Sequence, residues 1–515
     1  MGRIISPHPI TGWRGLNERR LLNGDPTETS DLDNVRVRNG VVSGRLGMGL
    51  YASGDSGAAS DILGTWQYYR SGTAAGNLIR MTATTLEYKN GTSWSNITGT
   101  ALAAGSIARP QAVTMGEIDT WICVNEGYNR PRKWTGTGNS AELGGTPPYA
   151  KAIEQYVGFL ALGNISLNGS TFFPLDVILS DDPDGTWVEC DDTEIYVTTL
   201  TLDESPGEVR ALRVLGLEML AYKADAIVAI RFTGGVTRFS RRKLDFPMGI
   251  LAPLSLVSVG KSRHIFLASD KNLYITDGQI VEPLPPAVQR SLKDVADATA
   301  PFLRATYVDE CYELFYPRTS SNPYLNGRIS YNVRTGEWTR SVYPVEVISP
   351  CSFRPTYDGG EVLIASATSS SGDLTYQLDT GTDDAITGAV SNSVSRYFTV
   401  DWGDLGQSGT KYITGAELTF NKAKNCRVKV SISVDKSSKY QYPKYFDLRG
   451  NDPDETITRV SYTIPSPVWG TYFKFRIDMF QDSTQQCELL DFTPEVIPTS
   501  SASLDTPALP QPSRI

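Results

Sequence analysis

Histidine is almost missing from this chain. Only His8 and His264 occur among 515 residues, so general acid–base chemistry near neutral pH would fall to carboxylates, lysines or thiols with displaced pKa values. His8 lies between prolines and His264 opens an apolar strand pattern, which reads as a structural role. The six cysteines (Cys123, Cys190, Cys311, Cys351, Cys426, Cys487) are widely scattered. No CxxC or Cys/His ligand spacing exists, which argues against structural zinc and for unpaired, buried thiols. Asp31, Asp33 and Asn34 resemble the start of a calcium loop, but the glycine and terminal glutamate are absent at the required spacing. GxSxG, HExxH, Walker A and strand-linked GxGxxG patterns are all lacking. The expectation is therefore a protein with no catalytic, cofactor-binding or metal-binding residues.

Positive charge is also in deficit. Lys and Arg number 48 against 57 Asp and Glu, a net charge of -9. A general nucleic-acid binder needs a basic footprint to release phosphate counterions. A weakly acidic wall suits a protein that DNA slides past without sticking. No stretch approaches the ~20 apolar residues of a membrane span, and the opening MGRIISPHPITGWRG has no apolar signal core. The sequons at Asn90, Asn96, Asn164 and Asn168 are accordingly read as turn residues.

What the chain has in plenty is 46 glycines, 30 prolines and 25 tyrosines. That mixture marks many short strands joined by tight turns. TTLEYKNGTSWSNIT places Leu86 and Tyr88 before an Asn90-Gly91 turn and Trp94 after it, the pattern of a type I′ hairpin. Asp277-Gly278 and Thr335-Gly336 punctuate later strands in the same way. The units begin roughly 40 residues apart, the spacing of four-stranded propeller blades. The expected fold is all-β: a propeller of six to eight blades over 51–390, preceded by an extended N-terminal arm over 1–50. Within it, PPAVQRSLKDVADATA sets Val288, Leu292 and Val295 on one helical face, a short helical insertion near 285–300. From 395 to 498 the rhythm becomes strict alternation. Val428, Val430, Ile432 and Val434 share one strand face, as do Phe473, Phe475, Ile477 and Met479, so a β-sandwich is expected there. Residues 499–515, rich in Ser and Pro, read as a disordered or docking tail.

Three further signals were weighed. SDDPDGTW (Ser180 to Trp187) approaches the Asp-box of sialidase propellers with its glycine one place late, and an Asp-Pro turn explains it as well. Arg130, Arg132 and Lys133, with Arg238, Arg241, Arg242 and Lys243, form two basic-aromatic runs that are candidate DNA or partner loops. Arg19, Arg20, Arg36, Arg38 and Arg45 dot the first fifty residues and are candidate subunit contacts.

Read in order, these segments resemble a known family. GWRGLNERRLLNGDPTETSDLDNVRVRNGVVSGRLGM resembles the start of tail nozzle, or tail hub, propellers of short-tailed bacteriophages, the tail tubular protein B-like proteins. The matching positions are Gly15, Leu16, Asn17, Asp25, Pro26, Leu32, Asn34, Gly40, Arg45 and Gly47. ILSDDPDGTW, ALRVLGLEMLAYKADAIVAIRFTGG and IFLASDKNLYITDGQIVEPL resemble the segments that follow in that family. The resemblance implies a non-enzymatic virion protein assembled in the host cytoplasm. It implies a ring homo-oligomer of six copies, docked to a tail adaptor and other tail proteins, that retains packaged double-stranded DNA and conducts it during ejection. The competing reading is a carbohydrate-active or receptor-binding propeller, sialidase-like or lectin-like.

Overall fold

The computed structural model describes residues 9–498 apart from 20–23, 52–54, 56, 59–60, 71–75, 103–107, 116–119, 181–197, 235–237, 319–324, 357, 370–371, 386–392, 402–409, 422–425, 436, 449–456 and 482–486. The protein is all-β, and the chain divides into two compact units. One contains Gly47–Val333 and Val342–Asn392. The other contains Met1–Leu46, Arg334–Ser341 and Ser393–Ile515.

The larger unit is a succession of antiparallel meanders. Sheet I comprises Ile62–Tyr68, Asn77–Thr82, Leu86–Asn90 and Ser93–Asn96. Sheet II comprises Gln111–Met115, Thr120–Val124, Arg132–Trp134 and Ala141–Glu142. Sheet III runs through Tyr149–Tyr156, Phe159–Ser166, Phe173–Leu179 and Thr198–Thr201. Sheet IV follows with Val209–Leu215, Glu218–Lys223, Ile227–Phe232 and Phe239–Lys243. Sheet V has Val257–Val259, Arg263–Leu267, Leu273–Thr276 and Val281–Pro283. Sheet VI takes Arg304–Val308, Cys311–Tyr316 and Leu325–Asn332 to the long strand Trp338–Phe353.

That sixteen-residue strand works twice. On one side it borders Leu325–Asn332. From Glu346 to Phe353 it also pairs with Val362–Ser369, so the strands called sheet VII continue the same hydrogen-bonded sheet as VI. Gly372–Leu378 continues sheet VII, and the N-terminal strand Met48–Leu50 finishes it, with Leu378 opposite Met48 and Tyr376 opposite Leu50.

Most consecutive sheets share apolar cores, which makes most of the meanders apolar on both faces. Tyr68, Ile79 and Met81 of sheet I pack with Trp121, Cys123 and Trp134 of sheet II. Similar clusters join II to III, III to IV, IV to V and VI to VII. Leu78 of sheet I packs with Phe353 and Ile364 of sheet VII. Two-sided burial at about 25 cal/mol per Å² of apolar surface is the main stabilisation available to such short strands.

Local details differ from the sequence expectation in two places. Ser93 pairs with Asn90, so the hairpin loop is Gly91-Thr92 with Gly91 at φ +62°. Glycine in first place is the type II′ arrangement, not type I′. The helix expected near 285–300 shortens to a 3-10 turn at Pro286–Val288 and one α turn at Gln289–Lys293. Val288, Leu292 and Val295 are buried as their spacing predicts.

The smaller unit holds two five-stranded sheets. In the first, Leu32–Asp33, Arg396–Asp401, Phe473–Gln481, Cys426–Val434 and Gln441–Asp447 lie side by side. In the second the order is Ile457–Gly470, Lys411–Asn421, Glu488–Pro498, Val41–Gly44 and Val35–Arg38. The alternating faces read from the sequence meet directly: Val428 opposes Met479, Val430 opposes Ile477 and Ile432 opposes Phe475. Phe475 then reaches across to Phe492 of the second sheet at 4.9 Å between ring centroids.

Described residues of the first fifty pair within the smaller unit. The hairpin Val35–Arg38/Val41–Gly44 adds to the edge of Glu488–Pro498, and Asp33 pairs with Tyr397. Ile10 exchanges backbone hydrogen bonds with Phe492 at 3.0 and 3.2 Å. The physical reason is burial: Val35, Val37 and Val42 turn inward from short strands that could not hide them alone. The tail 499–515 and the Asp-box-like stretch after Ser180 lie outside the described residues.

Candidate functional site

Within the larger unit, the first strands of successive sheets converge on one cavity of about 290 Å³. Its lining draws on Gly64–Gln67 from sheet I, Pro110–Ala112 at the start of sheet II and Ile153 from sheet III. Ala211–Arg213 from sheet IV, the turn before sheet V around Pro253 and Leu254, Arg304–Thr306 from sheet VI and Ser349–Ser352 from sheet VII complete it. Three of those strands carry bulges beside the cavity, where pairing shifts between Ile62 and Gly64, Val209 and Ala211, and Val347 and Ser349. A bulge bends a strand and re-aims its side chains, which suits strands crowding toward one point. Gly64 is required there, because a Cβ would stand 2.1 Å from the Trp66 indole.

Most of the polar groups around the cavity are already used for framing. Ser349 Oγ accepts from Thr65 N at 2.8 Å, Thr306 Oγ1 from Ser352 N at 3.0 Å, and Gln67 Oε1 from Arg354 N at 2.6 Å. The charged groups are two arginines. Arg304 Nη1 donates to Leu63 O at 2.6 Å. Burial and the neighbouring Arg109 lower the Arg304 pKa to about 10, partly offset by Glu126, so it stays cationic at neutral pH. Arg213 Nη1 stands 3.7 Å from Glu154 Oε2, and its buried Nε makes no hydrogen bond. Among the described residues, no Asp or Glu lines this cavity. The thiol of Cys351 is pushed up to about 12 by burial and is thus unreactive as a thiolate.

A second hollow of about 540 Å³ lies at the loops of sheets II and III, lined by Tyr128, Tyr149, Phe172, Phe302, Arg109 and Glu126 among others. Cations stack on its rings, with Lys151 Nζ 4.7 Å from the Phe172 centroid and the Arg130 guanidinium 5.1 Å from that of Tyr149.

The sequence-derived basic residues divide. Arg132 is buried and donates to the carbonyls of Thr98 and Ser140, so it braces a turn and cannot serve as a loop contact. Arg45 is likewise buried, donating to Asn34 Oδ1 at 3.0 Å and Leu46 O at 2.8 Å, which removes it from the candidate subunit contacts. Both guanidiniums are buried, so neither reaches an outside partner. Arg241 pairs with Asp203 and Glu204, and Arg242 with Glu218. Arg19, Arg38 and Lys243 are exposed, while Arg36, Lys133 and Arg238 are half-buried. Arg20 lies outside the described residues.

His264 is fully buried. Its Nε2 lies 3.0 Å from Val214 O, a pure acceptor, so Nε2 carries the proton and Nδ1 accepts from Tyr222 OH at 2.9 Å. Burial and the Arg213 charge depress its pKa to about 3. Arg213 and Arg304 were not singled out from sequence. The available signal was an arginine inside an otherwise apolar strand, as in ALRVL.

No family model matches the chain, and no curated protein matches it. Among solved structures, it is similar to the WD40 domain of Neurospora crassa Pan2, at 9% identity and a TM-score of 0.38, covering 66% of this chain and 96% of that one. It is also similar to an exo-beta-1,3-galactanase from Phanerochaete chrysosporium with beta-1,3-galactotriose, at 10% identity and a TM-score of 0.26, covering 87% of this chain and 100% of that one. Scores this low assign neither a fold nor an activity. No helix among the described residues is long and apolar enough to cross a membrane.

Proposed function

We propose that the protein is a structural ring component of a short-tailed phage tail, a nozzle or hub that retains packaged DNA and conducts it during ejection. In this reading the larger unit is a seven-bladed β-propeller, sheets I to VII being its blades, and the smaller unit is a β-sandwich. The chain works without catalysis, as part of the virion, in six copies docked to a tail adaptor and other tail proteins.

The observation that supports this most is the N-terminal ribbon. Several residues that carry the family resemblance have strict geometric duties. Gly15, at φ +88°, would bring a Cβ within 2.1 Å of Trp338 O. Gly40, at φ +76°, lies against Gly12 and donates its N–H to Glu337 Oε1 at 2.9 Å. Arg45 clamps Asn34, and Gly47 is pressed against the Asp383 backbone. Residues held this tightly favour a resemblance of fold over one of composition. The exposed Arg19 and Arg38 remain candidates for contact with a neighbouring copy. Head-to-tail contacts that close give a ring.

A second reading is favoured by the hollow at sheets II and III, where aromatic rings beside Arg109, Glu126, Lys151 and Asn168 have the composition of a saccharide contact. Native mass measurement of the full chain separates the two. A ring of about six 56.3 kDa copies is expected. A monomer that binds or cleaves saccharides would replace the nozzle reading with the carbohydrate one.

A further inference from the structure

The cavity where the sheets converge has a charge character opposite to that of the protein. The chain carries a net charge of -9, yet this cavity is lined by Arg213 and Arg304 and, among the described residues, by no Asp or Glu. Two arginines at one cavity favour a compensating anion there. Arg304 also lies in the field of Arg109, which Glu126 offsets in part. Arg213 has one carboxylate nearby, Glu154, at 3.7 Å from Nη1. That carboxylate lines the adjoining hollow and accepts from Gln155 N at 2.9 Å. At 3.7 Å the Arg213–Glu154 contact is longer than a hydrogen bond, and the Arg213 side chain as a whole is 40% exposed.

The rest of the wall is mixed, with Thr65, Gln67, Gln111, Thr306, Ser349 and Ser352 beside apolar side chains. Trp66, Ile153, Leu212, Leu254 and Pro350 line the same cavity. Its volume of about 290 Å³ exceeds what a lone hydrated ion would need.

We infer that this cavity is a binding site for a small organic anion, an oxyanion head (carboxylate or phosphate) on a compact apolar body, with Arg213 as the principal contact. The head accepts from Arg213, whose planar fork suits either oxyanion. Arg304 contributes charge from its fixed position on Leu63 O, and the body lies against Trp66, Leu212 and Leu254. The inference does not depend on the tail reading, since it concerns one chain alone.

Calorimetric titration of the full-length protein with benzoate, phenyl phosphate and neutral benzyl alcohol tests it. Saturable binding of at least one anion, at one site per chain and at least tenfold tighter than benzyl alcohol, is expected. Which anion is preferred identifies the head group. Arg213→Gln should weaken the preferred anion at least tenfold and leave benzyl alcohol unchanged, while Arg213→Lys should retain part of the affinity. Absence of saturable anion binding, equal affinity for the alcohol, or an unaffected Arg213→Gln protein would overturn the assignment. Should the variants fail to fold, wild-type crystals soaked in selenate decide the matter. An anomalous peak within hydrogen-bond reach of Arg213 supports the site, and its absence from the cavity removes it.

Discussion

At the scale of single residues, burial decides what charge can do. His264 titrates near 6.5 in an unfolded chain but at about 3 in the folded one. The unfolded chain therefore binds a proton that the folded one refuses, and stability is lost as pH falls from about 6.5 towards 3. Above that window the group costs nothing. His264→Gln should flatten the fall of the thermal midpoint between pH 6.5 and 4.5, measured by calorimetry across that range. A slope equal to that of wild type would show that His264 contributes nothing to acid lability. Arg328 is the opposite case. It is fully buried, bonded to Asp379 at 2.7 and 3.1 Å and 3.5 Å from Glu313. Arg328→Met removes the cation shared by Asp379 and the buried Glu313 and should cost about 3–5 kcal/mol in denaturant unfolding. These buried charges were the least legible part of the sequence. Arg45 and Arg132 look like surface residues because arginine usually is one. Only the tertiary arrangement shows which carbonyls they hold.

At the scale of strands, legibility followed the length of the pattern. The alternation of 428–434 and 473–479 could be read because a one-sided strand must repeat every second residue. The structure pairs those two runs side by side in one sheet. The turns at Gly278 and Gly336 were visible as positions needing positive φ, and both have it, at +87° and +78°. The ribbon strands were not legible as elements. Gly15–Leu16, Glu28–Thr29 and Leu32–Asp33 are two residues long, and Gly15 and Leu32 meet partners far along the chain, at Trp338 and Phe398. Short-range pattern carries no record of such partners. Their tightness can be measured with two alanines. Gly12→Ala meets only the left-handed backbone cost of about 1–2 kcal/mol, since no atom lies within 4 Å of its Cβ position. Gly15→Ala meets the same cost plus the clash with Trp338 O, and should lower stability by clearly more. Equal losses in chemical denaturation would remove the close approach as a constraint.

For the whole molecule, the first fifty residues matter twice. Residues up to Leu46 group with the C-terminal strands, and Gly47 onward with the larger unit. A chain beginning at Gly47 should therefore lose the C-terminal unit's unfolding transition and keep that of the larger one. A chain beginning at Ala52 also lacks Met48–Leu50, with Met48 fully buried, and should lower the remaining transition as well. Calorimetry of the two truncations checks this; identical behaviour would show that the edge strand contributes nothing. The scale of the fold was legible because turn spacing survives in sequence. The first strands begin at 62, 111, 149, 209, 257 and 304, at intervals of 38 to 60 residues against the roughly 40 expected. The converging cavity was not legible, because it is assembled from one or a few residues of each sheet.

The strand that finishes sheet VII is made first and used last. Met48–Leu50 leaves the ribosome some 330 residues ahead of its partner Gly372–Leu378. At roughly 5–20 residues per second, that is a wait of about 16–65 s. Until then the nascent chain carries an unsatisfied β edge, together with a hairpin whose partner, Glu488–Pro498, emerges later still. That interval is when chaperones, or pairing with another nascent copy, can intervene.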